Sequence, residues 1–164
     1  MFVEVVPPRR QMDSLARALD REANGQQFAR DLSTNIHEAL QPLVTTVQGA
    51  VLGMSTGGLP HGGQPLRTAV AQQVESYVRL SGKSPGAGVR VRKYGMPRGF
   101  NNAPRRLNAR KGWRHPVFGN TNVWVHQVGE PGWFDDNTTR FAGRYRVAVK
   151  RAMDDMAERI ARSG

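Results

Sequence analysis

Two histidines and a pair of adjacent aspartates lie close enough in the sequence to suggest a metal-dependent nuclease. The polar residues of this region are His115, Asn120, Asn122, His126, Asp135 and Asp136. A metal site needs such side chains to converge from two faces of a hairpin or from a helix start. His115, however, is followed by a Pro-Val-Phe-Gly turn, and His126 alternates with valines. We therefore expect a turn histidine, a half-buried strand histidine and no metal site.

Other catalytic patterns lack the context that their chemistry requires. The "SGKS" at 81–84 resembles the end of a phosphate-binding loop, but Tyr77 occupies the position of that motif's first glycine, and Pro85 follows. Ser55 comes after a predicted helix, whereas a hydrolase serine sits on a strand-to-helix elbow. Most acidic residues fall on predicted helix surfaces, which does not favour a glycosidase pair. The sequence predicts a protein that is not an enzyme and needs no cofactor.

The positive charge is concentrated in one tract. The formal net charge is +11, and no Asp or Glu lies between Glu75 and Glu130. The basic residues of that tract are Arg79, Lys83, Arg90, Arg92, Lys93, Arg98, Arg105, Arg106, Arg110, Lys111 and Arg114. A localised positive patch predicts an anionic neighbour, with nucleic acid first and an acidic protein second. A solvated basic surface is the simpler alternative.

The elements that must position these residues form one domain over 1–164. The apolar share of 38% suffices for one core, there is no cysteine, and no apolar run is long enough to cross a membrane. The pattern predicts a first strand in "FVEVV", a helix over about 9–23 and a second helix from about Gln26, kinked or broken at Pro42. A Gly-rich loop follows at 53–65.

The second half of the chain predicts a third helix over 66–80 and a strand in "AGVRVRKY". Residues 94–119 read as a long basic loop, 122–128 as a strand and 138–162 as a long amphipathic helix. The predicted order is β-α-α-α-β-β-α. We therefore expect an α+β fold, with a small antiparallel sheet packed against several helices.

All three tryptophans lie between 112 and 134, bracketed by glycine and proline. Large aromatic side chains on rigid turns are good anchors for a core or an interface, because they bury much area and have few rotamers to freeze. The pattern predicts that they attach the last helix to the sheet, that they form an interface, or both.

The block "WRHPVFGNTNVWVHQ", followed by "PGWF" and a long helix containing "AMDDMAERI", resembles the tail-completion or neck proteins of long-tailed bacteriophages, particularly those of actinobacterial phages and prophages. The likeness extends more loosely to the N-terminal half. It implies a structural virion protein, made in the host cytoplasm, that forms a ring at the head–tail junction around the DNA channel. The motif positions are Trp113, Arg114, His115, Pro116, Phe118, Gly119, Trp124, Pro131, Gly132, Trp133 and Phe134.

The resemblance also implies partners. These are other copies of the chain in a hexameric ring, a head connector or stopper protein, a tail terminator or tail tube protein, and double-stranded DNA passing nonspecifically. The loops at 53–65 and 94–111 are the expected assembly arms. Contacts with the DNA channel or with acidic partners are expected from Arg90, Arg92, Lys93, Arg98, Arg105, Arg106, Arg110 and Lys111. A tail-terminator ring protein and a nonspecific nucleic-acid-binding module remain alternatives.

Overall fold

The computed structural model describes residues 2–4, 9–54, 65–117 and 120–163. Its elements are β1 (Phe2–Glu4), α1 (Arg9–Arg21), α2 (Gly25–Leu52), α3 (Leu66–Gln72), β2 (Val74–Arg79), β3 (Gly86–Val91), α4 (Ala103–Asn108), β4 (Trp113–Val117), β5 (Asn120–Gln127) and α5 (Asp135–Ser163). The α+β class predicted from the sequence is confirmed. Most of the Gly-rich loop lies outside the described residues, as do Phe118 and Gly119.

The core is built around α2, whose apolar residues recur at the three- and four-residue spacing of one helix face. Leu32, Ile36, Leu40, Leu43 and Val47 are all buried. Burial of one such side chain contributes about 1.5–3 kcal/mol, so this single row supplies much of the driving force for folding. α1 and α5 pack against α2 and cover this row.

The long C-terminal helix carries the stripe that its periodicity predicts. Tyr145, Val149 and Met156 are buried, while Phe141 and Ile160 pack at the edge of the core. The opposite face is charged, which accounts for its amphipathic pattern. No helix in the described part of the chain is both long enough and apolar enough to cross a membrane.

The main sheet has three antiparallel strands in the order β1-β3-β2 and packs against α2. Within β3, Val89 and Val91 are buried and Arg90 is only partly so, as the alternation of valine and arginine predicts. Glu75 of β2 lies directly opposite Arg90 of β3. This cross-strand pair sets the position of the basic residues described below.

The predicted helix over 66–80 is wrong beyond Gln72. Leu66, Val70, Val74 and Tyr77 fit a helical period, but the chain turns at Gln73 and its next six residues pair with β3. Tertiary pairing overrides local periodicity here, because the strand satisfies its backbone groups across the ladder and places Val74 in the core.

Two further expectations need correction. The segment 94–119 is not one long loop, because it contains α4 and β4; α4 begins beside Pro104 and buries Ala103 and Leu107. Of the kink or break predicted at Pro42, the break is absent, because α2 continues through this residue. Pro42 lies on the exposed side of α2, and Thr46 Oγ1 donates a hydrogen bond to its carbonyl oxygen at 2.9 Å.

Candidate functional site

The hairpin of β4 and β5 packs against the core through the partly buried Trp113, while its second strand faces solvent. All eight residues of β5 are exposed, and the two strands pair only with each other in the described part of the chain. Val123, Trp124, Val125 and Val128 are between 39% and 50% exposed. The strand predicted at 122–128 is present, but its histidine, His126, is exposed and not half-buried as expected. The side chains of β5 are exposed on both faces of the strand, although apolar residues are frequent in it.

One face of this hairpin carries an arginine beside an aromatic ring. The register places Pro116 opposite Trp124, and Arg114 opposite His126. The Arg114 guanidinium lies 6.0 Å from the centre of the Trp124 ring, within the range of a cation–π contact. The indole Nε1 of Trp124 donates to the carbonyl oxygen of Thr121 at 2.7 Å, which fixes the ring orientation. The exposed indole is therefore held in place.

In the described part of the chain, His115 and His126 bond within the hairpin and its base and not to a shared metal site. His115 lies on β4 rather than in a turn, stacks beside Trp113 and hydrogen-bonds through Nε2 to Gln127 Oε1 at 3.0 Å. His126 is exposed on β5 and donates from Nε2 to the carbonyl oxygen of Lys111 at 2.7 Å. Both imidazoles stabilise the hairpin itself. Among the described residues no group of three or more His, Asp or Glu side chains is placed to share a metal ion.

The base of the hairpin is fixed by Asn108 at the end of α4. Its side chain accepts a hydrogen bond from the backbone N–H of Phe134 at 3.0 Å and donates to Asp135 Oδ2 at 2.6 Å. Gly112 begins the hairpin with a φ of 62°, and a Cβ there would lie 2.2 Å from the carbonyl oxygen of Gln127. Only glycine fits this close approach. The hairpin is thus anchored at its base, while β5 is exposed.

The "PGWF" segment has a different role from the hairpin. Pro131 is exposed and Gly132, with a φ of 81°, makes the turn before α5. Trp133 and Phe134 are buried in the core at 2% and 0% exposure, with their rings edge to face at 5.6 Å. The structure therefore divides the aromatic motif, with two rings inside the core and Trp124 outside.

The basic residues also fall into separate groups. Arg90, Arg92 and Lys93 line an open cleft of about 680 Å³ together with Tyr94, Gly95 and Asn101. Arg98 is exposed in the following loop, Arg105 and Arg106 lie on α4, and Arg110 and Lys111 are exposed just before the hairpin. The tract that is continuous in sequence is therefore divided into four groups on different elements, and the first group lines the cleft.

Glu75 organises the cleft from below. Its carboxylate pairs with Arg90 Nε at 2.7 Å and with Arg92 Nη2. Burial by itself would raise the pKa of the Glu75 carboxyl, but the hydrogen bonds from Arg92 and Arg90, with their positive charges, outweigh burial and hold that pKa below its usual range. The carboxylate is therefore charged at neutral pH and holds both guanidinium groups.

Sequence reasoning missed two of the residues that shape these surfaces. Asn108 carried no sequence signal beyond its place after a basic stretch, and its importance comes from contacts 26 residues away. Glu75 marked the boundary of the acid-free tract, but only strand pairing brings it beside Arg90 and Arg92.

Comparison of the chain with protein-family models finds no matching family, and comparisons with curated proteins and with solved structures find no match either.

Proposed function

We propose that this protein is a structural component of a bacteriophage neck, and that it joins the head connector to the tail as one subunit of a ring around the DNA channel. The observation that carries the proposal is the hairpin β4–β5, whose second strand is exposed along its whole length. The sequence resemblance to tail-completion proteins supplies the biological setting. The physical argument concerns only the need for a partner.

A two-stranded hairpin without a covered face is marginally stable in water. This hairpin nevertheless presents three valines and a tryptophan to solvent. Val123 and Val125 lie on one face of β5 and Trp124 on the other, so both faces offer apolar side chains to a partner. Tryptophan and arginine are the residues that most often dominate the binding energy of interfaces. The paired Arg114 and Trp124 fit that description. The simplest role for such a surface is to bind a partner that covers the hairpin.

The hairpin is held in a defined position, and this order favours a role in assembly. Its base is held by Asn108 and by the close approach of Gly112 to Gln127. Its side chains are ordered by hydrogen bonds of His115 and His126. A surface that is ordered before binding loses less conformational entropy when a partner docks, which raises affinity. In addition, no third strand pairs with the outer edge of β4 or β5 in the described structure, which suits pairing with another strand.

The proposed partners follow from the resemblance: other copies of the chain in a six-fold ring, a connector or stopper on the head side, and a tail terminator or tail tube protein on the other. The proposed location is the virion neck. A tail-terminator ring is the alternative within the same class. A tail-terminator ring would also use the hairpin as its assembly surface, and it differs only in the neighbouring proteins that it contacts.

The experiment is to measure the native mass of the purified protein over a range of concentrations, with and without nuclease and high salt, and to image the heavy fraction by electron microscopy. Closed rings of uniform size that persist after nuclease treatment support the proposal. A protein that stays monomeric at every concentration, or that gains mass only by carrying nucleic acid, contradicts it.

A further inference from the structure

We infer that the cleft beside Tyr94 binds the phosphate groups of a nucleic-acid backbone, at a site distinct from the hairpin. The cleft and the hairpin have no residue in common. The inference therefore goes beyond the ring proposal, and either can fail alone.

The cleft has the charge for this ligand. Arg90, Arg92 and Lys93 line it, and no acidic residue does. Even with Glu75 counted beneath it, three positive charges face one negative charge. Each arginine gives one nitrogen to Glu75 in the bridges described above, and a guanidinium has five N–H donors. Donors therefore remain for phosphate oxygens, which guanidinium groups bind with matched geometry.

The two guanidinium groups are also positioned in advance. Glu75 holds both of them, and the Arg90 guanidinium lies 5.7 Å from the centre of the Tyr77 ring. The backbone N–H of Arg92 donates to the carbonyl oxygen of Gln73 at 2.9 Å, which fixes the chain where it leaves β3. A freely solvated basic surface needs none of these constraints. A binding site gains affinity from them, because less side-chain entropy is lost on binding.

Tyr94 points to nucleic acid rather than to an acidic protein. Its side chain is 86% exposed at the edge of the cleft. The next residue, Gly95, has a φ of 84°, and a Cβ there would lie 2.6 Å from the Gln73 side chain, so the turn that presents Tyr94 requires glycine. An exposed aromatic ring beside cations offers a stacking platform for an unpaired base and a hydroxyl for a phosphate. A carboxylate-rich peptide would engage the hydroxyl of Tyr94 but would not stack on its ring face.

The test is fluorescence anisotropy of the full chain with a labelled single strand and a labelled duplex of mixed sequence, titrated over a range of salt concentrations. The cleft variant is Arg92→Gln with Lys93→Gln. The control is Arg146→Gln with Arg151→Gln, which removes the same charge from exposed positions of α5. For the duplex, the cleft variant should reduce the slope of log affinity against log salt by about 2, and the control should change it little.

The contribution of the Tyr94 side chain to binding is tested by Tyr94→Ala. Single-strand affinity should fall roughly 5- to 100-fold if a base stacks on this ring. A fall equal on both strand forms assigns Tyr94 to the backbone instead and still supports the site. Equal effects of the cleft and control variants, no binding at low salt, or stronger competition by an acidic peptide of equal charge would each overturn the inference. The cleft variant should keep the native mass of the unmodified protein, and a hairpin variant should keep its affinity for nucleic acid. A loss of either property shows which of the two proposals has failed.

Discussion

The side-chain oxygen of Asn108 accepts a hydrogen bond from the backbone N–H of Phe134 at 3.0 Å. This contact ties the end of α4 to the start of α5 across 26 residues of sequence. The hairpin β4–β5 lies between these two points in the chain. Because Phe134 is fully buried, the contact fixes the base of the hairpin to the core. The exposed part of the hairpin is thus carried by a rigid mount rather than by a loose loop.

Asn108→Ala should lower the free energy of unfolding by about 1–3 kcal/mol, because it leaves the N–H of Phe134 without its partner. Asn102→Ala is the matched control, since the Asn102 side chain is exposed and makes no capping hydrogen bond to α4. That control should change stability by less than about 0.5 kcal/mol. Urea unfolding followed by circular dichroism measures both, and equal effects would show that the contact contributes nothing.

A pair of glycines gives a test of opposite sign. Gly112→Ala should destabilise by more than about 1 kcal/mol, because a φ of 62° and a Cβ 2.2 Å from Gln127 O are both unfavourable. Gly143→Ala, on α5 with no atom within 4 Å of the added Cβ, should stabilise by about 0.5–1 kcal/mol. Thermal unfolding of the two variants measures the difference, and a gain at Gly112 would refute the described hairpin base.

The tryptophans should separate by burial. Trp133→Ala should cost about 3–5 kcal/mol, since the side chain is 2% exposed, whereas Trp124→Ala at 49% exposure should cost the isolated chain less than about 1 kcal/mol. Chemical denaturation of both variants provides the measurement. If Trp124→Ala were the more destabilising change, the hairpin would belong to the core of the monomer and not to an interface.

The Glu75 bridge predicts a pH dependence. Against the effect of burial, the folded-state pKa of this carboxyl is lowered from its usual value by the hydrogen bonds and charges of Arg92 and Arg90, so its contribution to stability is fully present above the pKa of the unfolded state. The contribution is lost as pH falls through the folded pKa. Because Glu75 and its arginines are partly exposed, the contribution is on the order of 1 kcal/mol or less.

The measurement compares Glu75→Gln with the unmodified protein by urea unfolding from neutral to acidic pH. The deficit of the variant should be largest at neutral pH and should shrink as the pH falls. A deficit that stays constant over this range would show that the carboxylate charge does not matter. A deficit that grows in acid would reverse the sign of the argument.

Much of the core was predictable from the sequence, because α2 and α5 repeat their apolar residues over many turns and only one face can be buried. The strand β2 was not, since Val74 and Val78, four residues apart, fit both a helical and an extended pattern, and pairing with β3 decides between them. The exposure of β5 was hidden for a similar reason. Alternating valines have the same pattern on a half-buried strand and on a surface awaiting a partner.

The candidate site was predictable only in part. Trp124 and the basic residues were recognisable by type, but sequence spacing says nothing about which of them share a surface. The separation of Trp133 and Phe134 from the exposed Trp124 depends on the turn at Gly132 and on the start of α5. The bridge from Glu75 to Arg92 depends on strand register. Both are long-range properties of the fold.

Assembly through the hairpin is tested most directly by the native mass of two valine-to-aspartate variants. Val123→Asp places a charge on β5, where the valine is 48% exposed, and Val147→Asp places one on α5 at 69% exposure. We expect that Val123→Asp folds but remains monomeric, because a desolvated charge opposes docking, while Val147→Asp assembles like the unmodified chain. Assembly by Val123→Asp at the same concentration as the unmodified protein would contradict a docking role for the hairpin.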